Sequence, residues 1–246
     1  MTVTGNATTA RDADIATVAA LLADPARADI LVALADGRAP PAGELARAAG
    51  VAASTASTHL ANMNAAGLLD IEKHGKHRYY RLAGAHVVRL AEQLATVAPR
   101  KRVASLRGTR AGADVAFARS CYDHLAGSLG VALTDQLLAG GTLIASTDGY
   151  DVDWTRDETL RRIGVDGAVS AAGSRRVARP CLDWTARRHH VAGALGAAIL
   201  AALLERDWLR RKPDSRALAV TERGSAHLES ILGVALADLA AAPSQQ

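Results

Sequence analysis

The 246-residue chain has little cysteine and few aromatic residues: two cysteines, Cys121 and Cys181, and 3% aromatic side chains. Two cysteines cannot form the disulfide framework of a small secreted domain. No apolar run is both long enough and free enough of charge to cross a bilayer. No charged segment followed by an apolar one opens the chain, so no leader is expected. The sequence therefore predicts a cytoplasmic protein without a membrane partner.

Catalytic signatures are also lacking. No phosphate-cradling glycine loop, nucleophile elbow or paired-carboxylate arrangement stands out, so the sequence does not predict an enzyme. Hydrophobic residues make up 49% of the chain, which is enough for one large core or two ordinary ones. The net charge of +4 suits a polyanionic partner without requiring one.

Residues 43–82 have the pattern of a helix-turn-helix motif followed by a wing. Gly50 lies where a tight turn needs a left-handed residue, and Gly67 lies just past the end of a second helix. Apolar residues recur at helical spacing along that second helix, residues 53–66. These inward-facing residues are Ala56, Leu60 and Met63. Two strands, residues 69–73 and 77–82, form the predicted wing, and the whole arrangement fits a DNA major groove.

Two groups of side chains on this motif are predicted to contact DNA. The outward face of the second helix carries short hydroxyl side chains, which reach phosphates and base edges without holding the helix out of the groove. With the histidine that follows them, they are Ser54, Thr55, Ser57, Thr58 and His59. The wing tip carries positive charge for the phosphate backbone, at Lys73, His74, Lys76, His77 and Arg78. A solvated helix face or a solubilising hairpin would explain either group alone, but the ordered combination favours DNA binding.

In this region the chain resembles the ArsR/SmtB-type winged-helix repressors. The resemblance covers residues 14–98. It is carried by Asp24-Pro25-Ala26-Arg27 with Ile30, Leu31 and Leu34, by Glu44-Leu45-Ala46, and by residues 54–60, 66–69 and 75–82. The resemblance implies a homodimer, an operator with two inverted half-sites, and repression that a small effector relieves. Activation instead of repression stays open.

Two metal sites known in that family lack their ligands here. One would need a cysteine pair on the helix before the recognition helix, but residues 41–45 contain no thiol. The other would need an aspartate and several histidines on the helix after the wing. That helix, residues 83–98, offers only His86 and Glu92, too few for zinc or nickel. No cofactor is therefore predicted. A metal ion stays possible, but these two family sites do not support one.

The predicted fold is mostly α with small β hairpins (α+β), and it is divided into two domains. We expect a disordered tail over residues 1–13 and a winged-helix DNA-binding and dimerisation domain over residues 14–99. A C-terminal effector or regulatory domain follows over residues 100–239, and a second disordered tail over residues 240–246. The boundary is placed near residues 99–102.

The C-terminal domain contains an internal repeat, because the segment that starts at His124 recurs 66 residues later at His190. Each copy leads into an apolar helix and then into two short strands and another helix. The predicted strands and last helix cover residues 142–145, 150–154 and 157–163 in the first copy, and 208–211, 217–221 and 222–236 in the second. This predicts two α-β-β-α units about a pseudo-twofold axis. Gly127, Gly130, Gly193 and Gly196 are interpreted as points where the two repeated helices cross closely.

Candidate effector or redox residues lie near the start of each copy. They are Cys121, His124, Cys181, Trp184, Arg188 and His190. On a helix, Cys121 and His124 share a face, whereas Cys181 and His190 point to opposite sides. A metal would then have to combine the first pair with one residue of the second segment. Buried thiols and hydrogen-bonded structural histidines are the plainer interpretations.

Three hypotheses for the C-terminal domain stay open at this point. In the first, Trp184 with Arg187 and Arg188 forms one wall of a pocket for a small organic anion. In the second, the domain is a thiol redox or metal switch that uses Cys121 and Cys181, with nearby arginines favouring a Cys181 thiolate. In the third, the domain is purely structural. The expected partners are operator DNA on the nucleoid, a second copy of the chain and an unknown effector.

Overall fold

A computed structural model describes residues 13–35, 37–99, 106–147, 149–167, 169, 176–213 and 215–241. The expected N-terminal tail lies outside these ranges except for Ala13, and the expected domain boundary lies outside them except for Pro99. Within the described ranges, every helix is too short or too polar to span a bilayer.

The N-terminal region has the predicted helix-turn-helix and wing. Its elements are α1 (Ile15–Leu22), α2 (Pro25–Leu34), α3 (Ala42–Ala48), α4 (Ala53–Ala65), β1 (Leu69–His74), β2 (His77–Leu82) and α5 (Gly84–Val97). The Asp24 carboxylate caps α2 by accepting the Arg27 N–H at 3.0 Å, and Pro25 opens the helix, where a missing N–H costs nothing. Gly50 and Gly67 have φ angles of +65° and +71°, as the turns require. The predicted wing is confirmed as an antiparallel pair closed at Gly75.

A compact apolar core holds this region together. Ala56, Leu60 and Met63 on α4 are buried, as predicted, and Leu60 and Met63 pack with residues of α2, α3 and the wing. On α5, Val87 and Val88 complete the core. Since the inward face of α4 is anchored in this way, its opposite face is held toward solvent.

The C-terminal region confirms the two predicted α-β-β-α units. The first unit is α7 (Ser128–Ala139), β5 (Leu143–Ser146), β6 (Gly149–Val152) and α8 (Glu158–Ile163), with a 3₁₀ turn at Trp154–Arg156. The second is α9 (Gly193–Glu205), β9 (Leu209–Arg211), β10 (Leu218–Val220) and α10 (Glu222–Leu232). The region also contains α6 (Leu106–Phe117) and α11 (Leu236–Ala241). Because α11 includes residues 240 and 241, the expected C-terminal tail is wrong there, and its remainder lies outside the described residues.

Each unit is preceded by a hairpin that the sequence interpretation treated as helix. These hairpins are β3 (Arg119–Cys121) with β4 (His124–Ala126), and β7 (Arg179–Leu182) with β8 (His189–Ala192). The second hairpin turns because the Asp183 carboxylate accepts the N–H groups of Thr185 and Ala186, a local bond that competes with helix formation. In the first hairpin, Tyr122 supplies the turn with a φ of +60°. The helical prediction at 121–124 and 181–190 is therefore wrong.

Gly130 and Gly196 bring each helix close to a hairpin, whereas Gly127 and Gly193 lie against residues 116–117 and 176–177; none of the four lies against the other repeated helix as predicted. A Cβ on Gly130 would lie 2.6 Å from the Leu125 carbonyl oxygen, and one on Gly196 would lie 2.5 Å from that of Val191. The Gly196 position is also 3.0 Å from the Cβ of His124 in the first unit. Each repeated helix also packs on the hairpin that precedes the other unit: α9 packs on β4, and α7 packs on β8. The two units therefore interlock.

Gly196→Ala is expected to lower the free energy of unfolding by about 1–3 kcal/mol, since the added methyl group overpacks a site closed by backbone. Gly112→Ala is the matched control, because Gly112 lies in α6 with nothing within 4 Å of its Cβ position. That control should raise the free energy of unfolding by about 1 kcal/mol through helix propensity alone. Urea unfolding measures both variants. Shifts in the same direction would contradict the proposed packing.

Candidate nucleic-acid interface and buried cysteine–histidine cluster

The outer face of α4 presents a strip of small hydroxyl side chains. Ser54, Thr55, Ser57 and Thr58 are all exposed. The Ser57 hydroxyl donates to the Ala53 carbonyl at 2.9 Å, and the Thr58 hydroxyl donates to that of Ser54 at 3.2 Å. Because these bonds use only the hydroxyl protons, the oxygens keep lone pairs that can accept from base amino groups. The helix begins at an exposed Ala53, and no cap side chain accepts a hydrogen bond from its first N–H groups.

His59 lies apart from this strip. Its side chain is 13% exposed, and its Nε2 atom lies 3.8 Å from a carboxylate oxygen of Asp24. Its Nδ1 atom is 3.4 Å from a guanidinium nitrogen of Arg27. His59 thus contacts the start of α2 and helps to fix α4 against it.

The wing carries its charge on exposed side chains beside α4. Lys73 and Arg78 are cross-strand partners, His74 pairs with His77, and Lys76 lies in the turn. One acidic residue is set among them: Glu72 lies 2.7 Å from His74 and 2.9 Å from Arg81. The His74 hydrogen bond and the Arg81 charge hold the pKa of the Glu72 carboxyl below its usual value. The surface is therefore basic at the tip, where a phosphate backbone would lie.

The C-terminal region contacts the winged helix through the first hairpin and through Arg216. At the tip of the first hairpin, the Tyr122 N–H donates to the Ala35 carbonyl at the end of α2 at 2.7 Å, and the Tyr122 side chain packs on the N-terminal core. Farther along, Arg216 pairs with Glu92 of α5 at 3.2 Å, with both side chains nearly buried. A change in the hairpin can therefore reach the helices that carry and support α4.

Two cysteines and two histidines meet in the interior between the repeats. Cys121 and His124 are cross-strand partners in the first hairpin, as Cys181 and His190 are in the second. The two Sγ atoms lie 3.9 Å apart, and one ligand atom from each of the four residues lies within 4.8 Å of the others. The sequence interpretation had excluded this arrangement because it placed Cys181 and His190 on one helix. On paired strands their side chains share a face, so that exclusion is wrong.

Burial and mutual contacts shift the ionisation of the cluster. The Cys121 thiol as hydrogen-bond donor, with the two histidines, holds the pKa of the Cys181 thiol far below its usual value in spite of burial. That same hydrogen bond and burial raise the pKa of the Cys121 thiol. Burial acts to lower the pKa of His124, but Asp123 and Cys181 outweigh it and raise that pKa. The neighbours that favour a Cys181 thiolate are thus chiefly cluster members, and not the arginines expected from the sequence.

The structure does not support the predicted pocket wall of Trp184 with Arg187 and Arg188. Trp184 stacks on Arg119, whose guanidinium carbon lies 4.9 Å from the ring centre. Arg188 pairs with Asp135 of α7 at 2.8 Å on the surface, and Arg187 approaches the Thr96 carbonyl of α5. The three side chains are therefore engaged by different neighbours.

Sequence reasoning missed the buried ion pair of Arg119 and Asp183. Both side chains are fully buried, with a nitrogen–oxygen distance of 2.9 Å. The same carboxylate oxygen accepts the Gly127 N–H at 2.7 Å, and Arg119 also donates to the Thr185 hydroxyl. Burial acts to raise the pKa of Asp183, but the Arg119 charge and the turn hydrogen bonds lower it to about 2. No local spacing rule links two residues 64 positions apart, so the pair was missed.

A cavity of about 330 Å³ lies beside the cluster, between α5 and the two hairpins. Its lining includes three members of the cluster, Cys121, His124 and Cys181. From the other side it is lined by residues of α5, including Arg89 and Glu92. This cavity connects the interior cluster with a helix of the DNA-binding region.

The class of protein follows from three features taken together: the helix-turn-helix, the exposed hydroxyl strip of α4 and the basic wing. They define a winged-helix DNA-binding protein. A helix-turn-helix domain family matches residues 22–72. The chain is 42% identical over 221 residues to the uncharacterized HTH-type transcriptional regulator YdfF of Bacillus subtilis (strain 168), a match that covers 90% of this chain and 98% of that protein. The chain therefore belongs to the HTH-type transcriptional regulators, of the ArsR/SmtB type.

Two shorter matches were also found. The HTH-type transcriptional regulator CmtR of Mycobacterium tuberculosis is 38% identical over 87 residues, which cover 35% of this chain and 73% of CmtR. Among solved structures, the homodimeric winged helix-turn-helix domain of Mb0332 from Mycobacterium bovis, a possible ArsR-family regulator, has 35% identity and a TM-score of 0.32. That match covers 34% of this chain and 76% of the solved one.

Proposed function

We propose that this transcriptional regulator is a homodimeric repressor that binds an operator with two inverted half-sites. The observation that carries the proposal is the exposed hydroxyl strip of α4 beside the basic tip of the wing. In the proposed complex, residues 54–58 of each protomer enter successive major grooves, and Lys73, Lys76 and Arg78 contact the flanking phosphates. The protein would then act on the nucleoid in the cytoplasm, through binding and without catalysis.

An apolar stripe on α5 supports the dimer. Leu90, Leu94 and Val97 are spaced by four and three residues, so they share one side of the helix, and they are 37%, 41% and 81% exposed. Ile15 of α1 is also exposed, at 75%. A second copy of the chain is the proposed occupant of this stripe, since a twofold dimer presents the same patch from both subunits.

Leu94→Glu is expected to convert the dimer to a monomer, since it places a charge in the apolar stripe. Operator affinity should fall with it, because each monomer would contact only one half-site. Val234→Glu is the matched control: Val234 is 44% exposed but lies far along the chain from the stripe, and its variant should stay dimeric. Sedimentation equilibrium measures both variants. A dimeric Leu94→Glu protein would show that the stripe is not the interface.

The C-terminal region is proposed to control the geometry of the two recognition helices. A small effector in the cavity beside α5 would contact the hairpin whose Tyr122 turn is bonded to α2. The α2 helix in turn contacts α4 through Arg27 and His59. A shift at the hairpin can thus change how α4 is held.

A reporter gene behind the operator tests the direction of control. We expect the full-length protein to silence the reporter, whereas a rise in transcription would show an activator. Melting the protein against pools of metabolites tests the effector, since a ligand of the folded state raises the unfolding temperature.

A further inference from the structure

We propose that Cys121, His124, Cys181 and His190 bind one thiophilic divalent cation, Zn²⁺ or an ion of the same coordination chemistry, in tetrahedral geometry. Two ligands come from each repeat, one pair from each hairpin. The cation would tie the two halves of the C-terminal region together. This inference goes beyond the proposed function, because it concerns a site remote from DNA and its test needs no DNA.

The spacing of the ligand atoms fits a tetrahedral ion. Two thiolates at about 2.3 Å from tetrahedral zinc would lie about 3.8 Å apart. The Sγ atoms of Cys121 and Cys181 are 3.9 Å apart. All four ligand atoms lie within 4.8 Å of one another, so small rotations of the imidazoles would close the site. Four protein ligands leave no position for substrate or water, which is typical of a structural or regulatory site.

The hydrogen-bonding state of the imidazoles points to a missing ligand. His124 is 2% exposed and His190 is fully buried. Within the described part of the chain, the Nε2 atom of His124 and both ring nitrogens of His190 are buried without a well-formed hydrogen bond, and the Cys181 thiol faces both rings. Buried polar atoms in native proteins are almost always paired, so unpaired imidazole nitrogens beside two thiols need an explanation. A bound cation would satisfy one nitrogen of each ring.

The surroundings of the two histidines match the outer shell of a metal site. The Nδ1 atom of His124 lies 3.2 Å from a carboxylate oxygen of Asp123, and that of His190 lies 3.4 Å from one of Asp183. A carboxylate at Nδ1 orients the ring and leaves Nε2 for the metal, a common arrangement in zinc proteins. Asp183 is itself held in place by Arg119 and the Gly127 N–H. The orienting group is thus fixed by other contacts before any ion binds.

The ligand types select the class of ion. Thiolate and imidazole favour Zn²⁺, Co²⁺ and Cd²⁺, whereas Mg²⁺ and Ca²⁺ prefer oxygen. The cavity beside α5 gives an ion a path to the cluster. The plainer alternative is a pair of thiols that oxidise to a disulfide. A disulfide would leave the imidazole nitrogens unpaired, so the structure favours the cation.

Titration of the full-length protein with Zn²⁺ and with Co²⁺, in a reducing buffer without chelating thiols, tests the site. We expect one Zn²⁺ per chain after dialysis, and a Co²⁺ complex with tetrahedral ligand-field bands and thiolate charge-transfer bands. Loaded protein should also unfold at a higher temperature. No retained metal, or a Co²⁺ spectrum without thiolate bands, would overturn the proposal. The proposal would also be overturned if the two thiols formed a disulfide and the protein bound no metal under any condition.

Variants assign the ligands. Cys181→Ser and His190→Gln should each weaken Zn²⁺ binding by at least about tenfold. His189→Gln is the matched control, because this exposed neighbour lines the cavity but is not part of the cluster. The Zn²⁺ affinity of this variant should equal that of the wild type. His124→Cys should still bind zinc, since three cysteines and one histidine also form a zinc site. Undiminished binding in both Cys181→Ser and His190→Gln would refute the assignment. If those variants do not fold, loss of binding in folded His124→Cys would refute it.

Discussion

Replacing Arg119 with methionine is expected to lower the free energy of unfolding by about 3–5 kcal/mol, the usual cost of breaking a buried ion pair. The variant leaves the Asp183 carboxylate without its charged partner in a position where neither side chain reaches solvent. It also removes the donor to Thr185 and the cation stacked on Trp184. Since the carboxylate orients both the second hairpin turn and the start of α7, the loss should spread through both repeats. Denaturant unfolding followed by circular dichroism measures the change.

Arg188→Met is the matched control for this prediction. Arg188 pairs with Asp135 at 2.8 Å, nearly the same distance as in the buried pair, but the two side chains are 59% and 41% exposed. Exposed ion pairs contribute about 0–1 kcal/mol because water and salt screen them. The Arg188 variant should therefore unfold almost as wild type does. Equal losses in the two variants would show that burial of the Arg119–Asp183 pair is not what makes it important.

Neutralising the wing in the double variant Lys76→Ala, Arg78→Ala should weaken operator binding and reduce its salt dependence. The plot of log K against log salt concentration has a negative slope, and each lost phosphate contact makes it less steep by about 0.9. We therefore expect the magnitude of the slope to fall by about 1.8 per protomer. The fold should be unaffected, because both side chains are exposed. Fluorescence anisotropy with a labelled operator, at several salt concentrations, measures the slope.

The control for the wing is the double variant Arg161→Ala, Arg210→Ala. It removes the same amount of charge from exposed arginines of the C-terminal region, whose side chains are 66% and 68% exposed. A general effect of net charge would reduce the slope in both double variants. The proposed interface predicts a reduced slope in the wing variant alone.

The DNA-binding region was predictable from sequence because its signals are local. Gly50 and Gly67 mark turns that need a positive φ, and the spacing of Ala56, Leu60 and Met63 defines one buried helix face. Each of these signals spans fewer than two helical turns. The wing follows the same logic, since its strands are joined by a short turn at Gly75.

The cluster was not predictable because its geometry depends on turns and on contacts between distant residues. The second hairpin forms around the Asp183 side chain, whose carboxylate accepts the N–H groups of Thr185 and Ala186. The repeat did place His124 and His190 at equivalent positions. Residues at equivalent positions near a pseudo-twofold axis meet across it. With the correct secondary structure, the repeat would therefore have predicted that these two histidines meet, as they do, with ring centres 5.1 Å apart. The Arg119–Asp183 pair, by contrast, joins residues that no local spacing rule connects.

The central claim is that residues on the outer face of α4 read a specific DNA sequence. We would test it by sequencing the genomic fragments retained by the full-length protein and by a Thr55→Ala, Ser57→Ala variant. A Thr155→Ala, Ser230→Ala variant, which removes two exposed hydroxyls of the C-terminal region, is the control. We predict a sharp site with inverted half-sites for the wild type and the control, and a much weaker one for the α4 variant. Diffuse, salt-sensitive retention by all three proteins would contradict the claim.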